Sequence, residues 1–254
     1  MDNLFSLRGK VALLAGGGGD ISIAVAEGFS SYGARVILFD NSQQHLDNAK
    51  KTLNTKGISV ETWCGSITDK KFLKSMADDI EQRYGTPDIL FNSAGVTYRK
   101  PVSELTDDEW SNIVDINFNG VYFLLKEFGL RMCKRGSGKI IQVLSTGAYR
   151  FGANFVAYGA TKAAASALIK GLAIEWAPYN IHVNGIAPTA TETNFTRDFY
   201  KEHPEKKEAT KNNHPYKRLG TPQDYVGAAI YLASDASDFV NGEVIIVDSG
   251  KTVK

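Results

Sequence analysis

Val11-Ala12-Leu13-Leu14-Ala15-Gly16-Gly17-Gly18-Gly19-Asp20-Ile21-Ser22 is the stretch on which the fold turns. Five apolar residues without polar alternation predict a strand buried on both faces, as in a parallel sheet covered by helices. Four glycines follow, then an amphipathic run over 22–32 that reads as a helix. A strand that passes through glycines into a helix lets backbone approach a pyrophosphate, and the helix N-terminus offers that anion its unpaired N–H groups. Four successive glycines are costly to order, so a merely structural turn leaves them unexplained.

The same alternation continues along the chain. Apolar runs at 35–39, 59–63, 88–92, 139–144, 181–186 and 243–247 read as strands, and 43–56, 70–84, 107–134, 155–177 and 222–233 read as helices. This repetition predicts an α/β single-domain Rossmann fold over 1–254, with a doubly wound, parallel seven-stranded sheet and helices on both faces. No Pro/Ser-rich linker or internal repeat divides it. The exception is 189–219, which is polar, lacks strong periodicity and carries Arg197, Lys201, Lys206, Lys207, Lys211, Lys217 and Arg218. It reads as a lid over substrate or, equally, as a solvated loop with short helices.

Composition sets outer bounds. The chain has 254 residues, 43% hydrophobic and 22% charged, with a net charge of +1. That is ordinary for a globular protein and gives no overall field toward nucleic acid or an anionic membrane. Cys64 and Cys133 make neither a disulfide nor a metal-ligand pattern, so no metal is expected. The opening residues lack the charged-then-apolar layout of a signal peptide. No apolar run approaches the roughly 18 residues that span a bilayer. A soluble cytoplasmic protein is the expectation.

The chemistry centres on Tyr158 and Lys162, one helical turn apart on one face. A free phenol has a pKa of about 10, and a neighbouring ammonium favours the phenolate. Such a pair can move a proton to or from an alcohol or carbonyl oxygen near neutral pH. The spacing arises by chance on many helices, so Ser145 upstream adds weight. Asp40 ends the second predicted strand, where a carboxylate can accept from both ribose hydroxyls of an adenosine and would repel a 2′-phosphate, which points to NAD rather than NADP. Its other reading is a helix cap or turn residue. Asn92-Ser93-Ala94-Gly95 ends the fourth strand with small residues against which adenosine can lie.

Taken together, these residues resemble the short-chain dehydrogenase/reductase family over nearly the whole chain. By that resemblance Asn117, Ser145, Tyr158 and Lys162 form a catalytic tetrad, in which Asn117 anchors a water that links Lys162 to solvent. Asn184 to Pro188 with Thr193 is similar to the segment beside the nicotinamide, and Asp248-Ser249-Gly250 to a C-terminal Asp-Gly-Gly. NAD would be held by Gly16, Gly19, Asp20, Ile21, Ser22, Asp40, Ser66, Ile67, Asn92, Ala94, Gly95, Tyr158, Lys162, Pro188, Thr189, Thr191 and Thr193. Tyr98-Arg99-Lys100-Pro101 and the stretches around Ala173 and Asn180 look most like the gluconate 5-dehydrogenases of the family. This implies a small, anionic substrate met by Arg99, Ser145, Arg150 and Tyr158, with Tyr149 a weaker candidate. The family also implies a homotetramer in which the helices after the fourth and fifth strands pair.

Three departures from the family pattern stand out. Its Thr-Gly-x-x-x-Gly-x-Gly has Asp20 and Ser22 at the second and third glycines. The turn instead resembles the Gly-x5-Ser-Ile-Ala loop of the enoyl-reductase branch, so Ser22 is expected to cap the helix and contact pyrophosphate. Asp20 is expected to point away, since two anions in one dry site repel. That branch spaces its Tyr and Lys seven apart, unlike this chain. The adenine-side Asp is Ser66, and the Pro-Gly near the nicotinamide is Pro188-Thr189, whose side chain narrows the pocket or adds a hydroxyl. The expected function is an NAD(P)-dependent oxidoreductase that interconverts a secondary alcohol and a ketone on a sugar acid or polyol. Two alternatives stand beside it: a 3-oxoacyl-thioester (acyl-carrier-protein) reductase, against which Asp40 argues, and a catalytically silent nucleotide-sensing protein, for which only the altered turn argues.

Overall fold

The computed structural model describes residues 3–254; the first two residues of the expected domain lie outside the described residues. The chain alternates strand and helix: β1 (Val11–Ala15), α1 (Asp20–Ser31), β2 (Arg35–Asp40), α2 (Gln43–Asn54), β3 (Glu61–Cys64), α3 (Lys70–Tyr84) and β4 (Ile89–Asn92). Then come α4 (Asp107–Val114), α5 (Val121–Arg135), β5 (Gly138–Val143), α6 (Val156–Trp176), β6 (Ile181–Pro188), α7 (Asn194–Glu202), α8 (Pro204–Asn213), α9 (Val226–Ala233) and β7 (Val244–Val247). All neighbouring strands are parallel in the order β3-β2-β1-β4-β5-β6-β7. This is the expected seven-stranded, doubly wound Rossmann sheet.

Alternate residues of each strand feed opposite cores, which is why the runs read as continuously apolar. Leu13, Ile37, Phe39 and Leu90 pack with Leu124 and Phe128 of α5 and Ala165 and Ile169 of α6. Ala12, Leu14, Val36 and Phe91 pack with Val25 and Phe29 of α1, Leu46 of α2 and Ala229 of α9. β1 pairs with β2 on one side and β4 on the other. The connections therefore diverge at β1, and ligands of such sheets bind outside the carboxyl ends at that point.

The structure departs from the expected elements in three places that bear on the site. Helix α1 begins at Asp20 with Gly19 as its N-cap, not at Ser22. The expected helix over 107–134 is interrupted by a π-helical turn, Asp115–Gly120, which contains Asn117. Such turns cluster at functional sites. The polar segment 189–219 holds two helices, α7 and α8, the second opening on Pro204, where proline is tolerated because a first-turn N–H is unpaired anyway. Among the described residues no helix is long and apolar enough to cross a membrane.

Candidate functional site

A cleft of about 1050 Å³ runs along the carboxyl ends of the strands. Asp40 and Ser66 line it after β2 and β3, Gly16 to Ile21 after β1, and Ala94 and Gly95 after β4. Ser145, Tyr158, Lys162 and Arg99 line its other end.

At the first end, the glycines bring the β1 turn hard against its neighbours. Gly16 has φ +70°, and a Cβ there would lie 2.6 Å from the Ala94 nitrogen. A Cβ on Gly18 would lie 2.4 Å from His45 Cβ. Asp40 locks this approach. Its Oδ2 accepts from the Gly18 N–H at 3.0 Å and its Oδ1 from the Ser42 N–H at 3.0 Å. Ser42, not Asp40, caps α2. A carboxylate has about four lone-pair sites, so Asp40 retains capacity toward the cleft. No side chain caps α1 at Gly19. Its first-turn N–H groups thus open where Gly18, Gly19 and Ile21 line the cleft, a fit for a phosphate.

Several expected cofactor residues are placed differently. Ser22 is the third residue of α1 and fully buried, with its hydroxyl 2.6 Å from that of Ser93. It neither caps the helix nor lines the cleft, because the earlier helix start turns it toward β4. Asn92 is also fully buried. Its Nδ2 donates to Gln142 at 2.8 Å and its Oδ1 accepts from the Ala94 N–H at 3.1 Å, so it shapes the wall from behind. Thr191 lines the cleft, but its hydroxyl is engaged elsewhere: it donates to the Thr189 carbonyl at 2.7 Å and meets the Tyr225 hydroxyl. Ile67, Pro188, Thr189 and Thr193 do line the cleft, as does Ser66, whose hydroxyl pairs with that of Thr68 at 2.8 Å. Asp20 lines the cleft too, and its carboxylate accepts from Asn194 in α7.

Thr189 adds a hydroxyl rather than a constriction. It lies 2.8 Å from His214 Nε2, and His214 Nδ1 lies 2.8 Å from the Thr210 carbonyl. A carbonyl only accepts, so Nδ1 carries the proton and Nε2 accepts from Thr189. Burial pushes the His214 pKa down and keeps the ring neutral. Thr189 thereby ties the cleft floor to the end of α8.

At the other end, Lys162 of α6 is 4% exposed, and its Nζ donates to the Val143 carbonyl at 3.1 Å. Burial pulls its pKa down to about 8. The Tyr158 phenol stands above its ordinary value because burial outweighs two opposing influences, the Ser145 hydroxyl and the Arg99 charge. The expected lowering by Lys162 is therefore not the arrangement found. The ammonium lies 5.7 Å from the phenol ring centre and is directed at Val143, and Arg99 is the cation acting on the phenol. Gly147 keeps the space open: a Cβ there would lie 3.3 Å from Ser145 Oγ and 3.7 Å from the Tyr158 ring. Asn117 is fully buried and its amide is fully engaged. Oδ1 accepts from the Val96 N–H at 2.8 Å, and Nδ2 donates to the Val96 carbonyl at 2.9 Å and to Thr161 at 3.2 Å.

Arg99 is not a solvated surface residue. Its guanidinium lies 5.0 Å from the Phe155 ring centre and 4.5 Å from that of Phe199 in α7. Among the described residues no carboxylate pairs with it. Arg150 lines the cleft, but its Nη1 donates to the Lys251 carbonyl at 2.6 Å, which fixes it to the C-terminal turn rather than aiming it inward. Tyr149 lies off the cleft, its hydroxyl 3.0 Å from that of Ser166. The structure also adds His45, Phe155, Phe199 and Lys206 to the lining. Phe195 and Phe199 stand at i, i+4, a helical spacing legible in the sequence; nothing local signals His45.

The family model described as enoyl-(acyl carrier protein) reductase matches residues 18–252. The 5-keto-D-gluconate 5-reductase of Escherichia coli (strain K12) is 33% identical over 253 residues, covering 100% of this chain and 99% of the relative. An NAD-dependent glycerol dehydrogenase of Listeria innocua is 33% identical over 253 residues, covering 100% and 98%. Among solved structures, a gluconate 5-dehydrogenase from Burkholderia cenocepacia J2315, in complex with NADP and tartrate, superposes with a TM-score of 0.93 at 31% identity, covering 99% and 98% of the two chains.

Proposed function

The chain belongs to the short-chain dehydrogenase/reductase family, and from that premise we propose that it interconverts a secondary alcohol and a ketone on a sugar acid, with NAD as cofactor. The observation that carries this reading is the unpaired Arg99 guanidinium beside Ser145, Tyr158 and Lys162 in one cleft. A planar fork of donors suits bidentate capture of a carboxylate, and Arg99 holds it at the proton-transfer end. The names of the relatives that act on gluconate or its keto form point the same way.

When bound, the nicotinamide supplies the hydride acceptor for alcohol oxidation. Tyr158 takes the hydroxyl proton as general base. Ser145 donates to the reacting oxygen and steadies the charge that develops there. Lys162 holds the nicotinamide ribose; its ammonium, already brought to about 8 by burial, passes protons readily near neutral pH. The Asn117 side chain is engaged with Val96 and Thr161, so it steadies this wall of the cleft rather than offering a free amide to the relay water that the family implies. Asn117, with Gly95 beside it, keeps Val96 in place against α6. Gly16, Gly19 and Ile21 present the α1 N-terminus to the pyrophosphate, and Ser66 and Ile67 flank the adenine. Residues 189–219 form the lid, with Phe199 its inner wall.

A panel of sugar acids and polyols with NAD and with NADP, read by absorbance of the reduced cofactor, tests this reading. No turnover with any anionic polyol would sink it. Asp40 favours NAD through the ribose hydroxyls, whereas the solved Burkholderia relative holds NADP. Asp40→Ala is expected to lower the NAD-to-NADP ratio of kcat/KM by about tenfold, the loss of one charge-assisted hydrogen bond with its repulsion. An unchanged ratio removes Asp40 from cofactor choice.

The active form is a homotetramer. Trp110 of α4, Leu130 of α5 and Ile174 of α6 are 44%, 51% and 79% exposed, apolar surface on the helices expected to pair. Light scattering is expected to give four times the 27.7 kDa chain mass; a monomer mass contradicts it.

A further inference from the structure

Asp20, the charged residue of the altered glycine turn, has no task in the mechanism above. Where the family pattern has its second glycine, this chain has Asp20, the first residue of α1. Its carboxylate accepts from the backbone N–H of Asn194, the first residue of α7, and from Asn194 Nδ2 at 3.2 Å. We propose that Asp20 is a positioning residue that fastens α7 to the nucleotide turn, so that a cofactor-side residue sets the aromatic wall of the substrate pocket. The proposal rests on the dehydrogenase reading for its kinetic consequences but not for the contact itself.

The physical case has three parts. The first N–H groups of a helix have no partner within it, and an anion there is favoured by the helix dipole. Asp20 meets this need for α7 while standing in the first turn of α1, so two helix N-termini share one carboxylate. A pyrophosphate at α1 would repel that carboxylate, and the two Asn194 donors hold it on the lid side, clear of the turn. The consequence reaches Phe199, in the same helix as Asn194, on whose ring both the Arg99 guanidinium (4.5 Å) and the Lys206 ammonium (5.3 Å) are stacked. A glycine at position 20 has no side chain with which to make any of these connections.

The test compares Asp20→Ala and Asp20→Asn in the full-length enzyme by amide hydrogen exchange over 194–202 and by separate KM and kcat measurements. Asp20→Ala is expected to speed exchange there about tenfold, the worth of the lost charge-assisted bonds. It is expected to raise the substrate KM by a similar factor without weakening cofactor affinity. Asp20→Asn keeps an oxygen facing the Asn194 N–H and is expected to recover most of the protection. Asn194→Asp sets two carboxylates together and is expected to speed exchange as Asp20→Ala does. Wild-type exchange in Asp20→Ala, or identical behaviour of the Ala and Asn variants, overturns the latch in favour of a charge effect on the cofactor alone. Exchange requires no turnover, so faster exchange in a protein inactive on every polyol acid overturns the dehydrogenase reading and leaves the latch standing.

Discussion

Tyr158→Phe is expected to lower kcat by roughly 10³-fold, within the range that a positioned general acid or base supplies. The substitution removes one oxygen and keeps the ring. The edge-on contact with Phe155 at 6.1 Å and the Lys162 ammonium at 5.7 Å both act on the ring, not the hydroxyl. The fold, the cleft and cofactor affinity should therefore survive, and fluorescence titration of the cofactor alongside steady-state kinetics separates binding from chemistry. Turnover near the wild-type rate with cofactor bound would remove Tyr158 from proton transfer.

Arg99→Ala is expected to raise the KM for an anionic polyol by about 10²-fold, the loss of a paired, charge-assisted contact in a partly closed pocket. A neutral polyol should lose far less. Arg99→Lys should recover only part, since an ammonium lacks the planar fork and stacks less well on Phe155 and Phe199. A second effect follows from the charge. Arg99 acts to lower a phenol that burial has raised, so its removal raises Tyr158 further. Alcohol oxidation needs the deprotonated phenol, and the rising limb of the kcat/KM pH profile must then move to higher pH. Equal losses for anionic and neutral substrates, with an unmoved profile, would show Arg99 to be a packing residue only.

The substrate end was harder to read in the sequence than the sheet. Burial on both faces requires runs such as Val11–Ala15 and the centre of β2, Val36 to Phe39, to be apolar throughout, and that requirement is visible residue by residue. The proton-transfer pair is also local, since Tyr158 and Lys162 meet across one turn of one helix. The misplaced residues share a different character. Ser22, Asn92 and Thr191 carry polar groups at the right points of a motif, yet their partners Ser93, Gln142 and Tyr225 come from other elements. The direction of a hydroxyl depends on which partner packing brings near. Burial is likewise a property of the whole fold, so the expectation that Lys162 depresses the phenol omitted the larger opposing influence.

The sequence by itself therefore determined the doubly wound sheet and the glycine turn at β1, because periodicity and short-range spacing carry them, and it singled out Asp40, Ser145, Tyr158 and Lys162 through their place in the family pattern. Only the tertiary structure decided where the Asp20 side chain of the altered turn reaches. Asp20 and Asn194 are 174 residues apart in the chain, and no local pattern relates a carboxylate in one helix to the first N–H of another. Arg99 is the parallel case: an arginine in a loop is ordinary in sequence, and only folding sets it between Phe155 and Phe199 with no acid among the described residues to neutralise it.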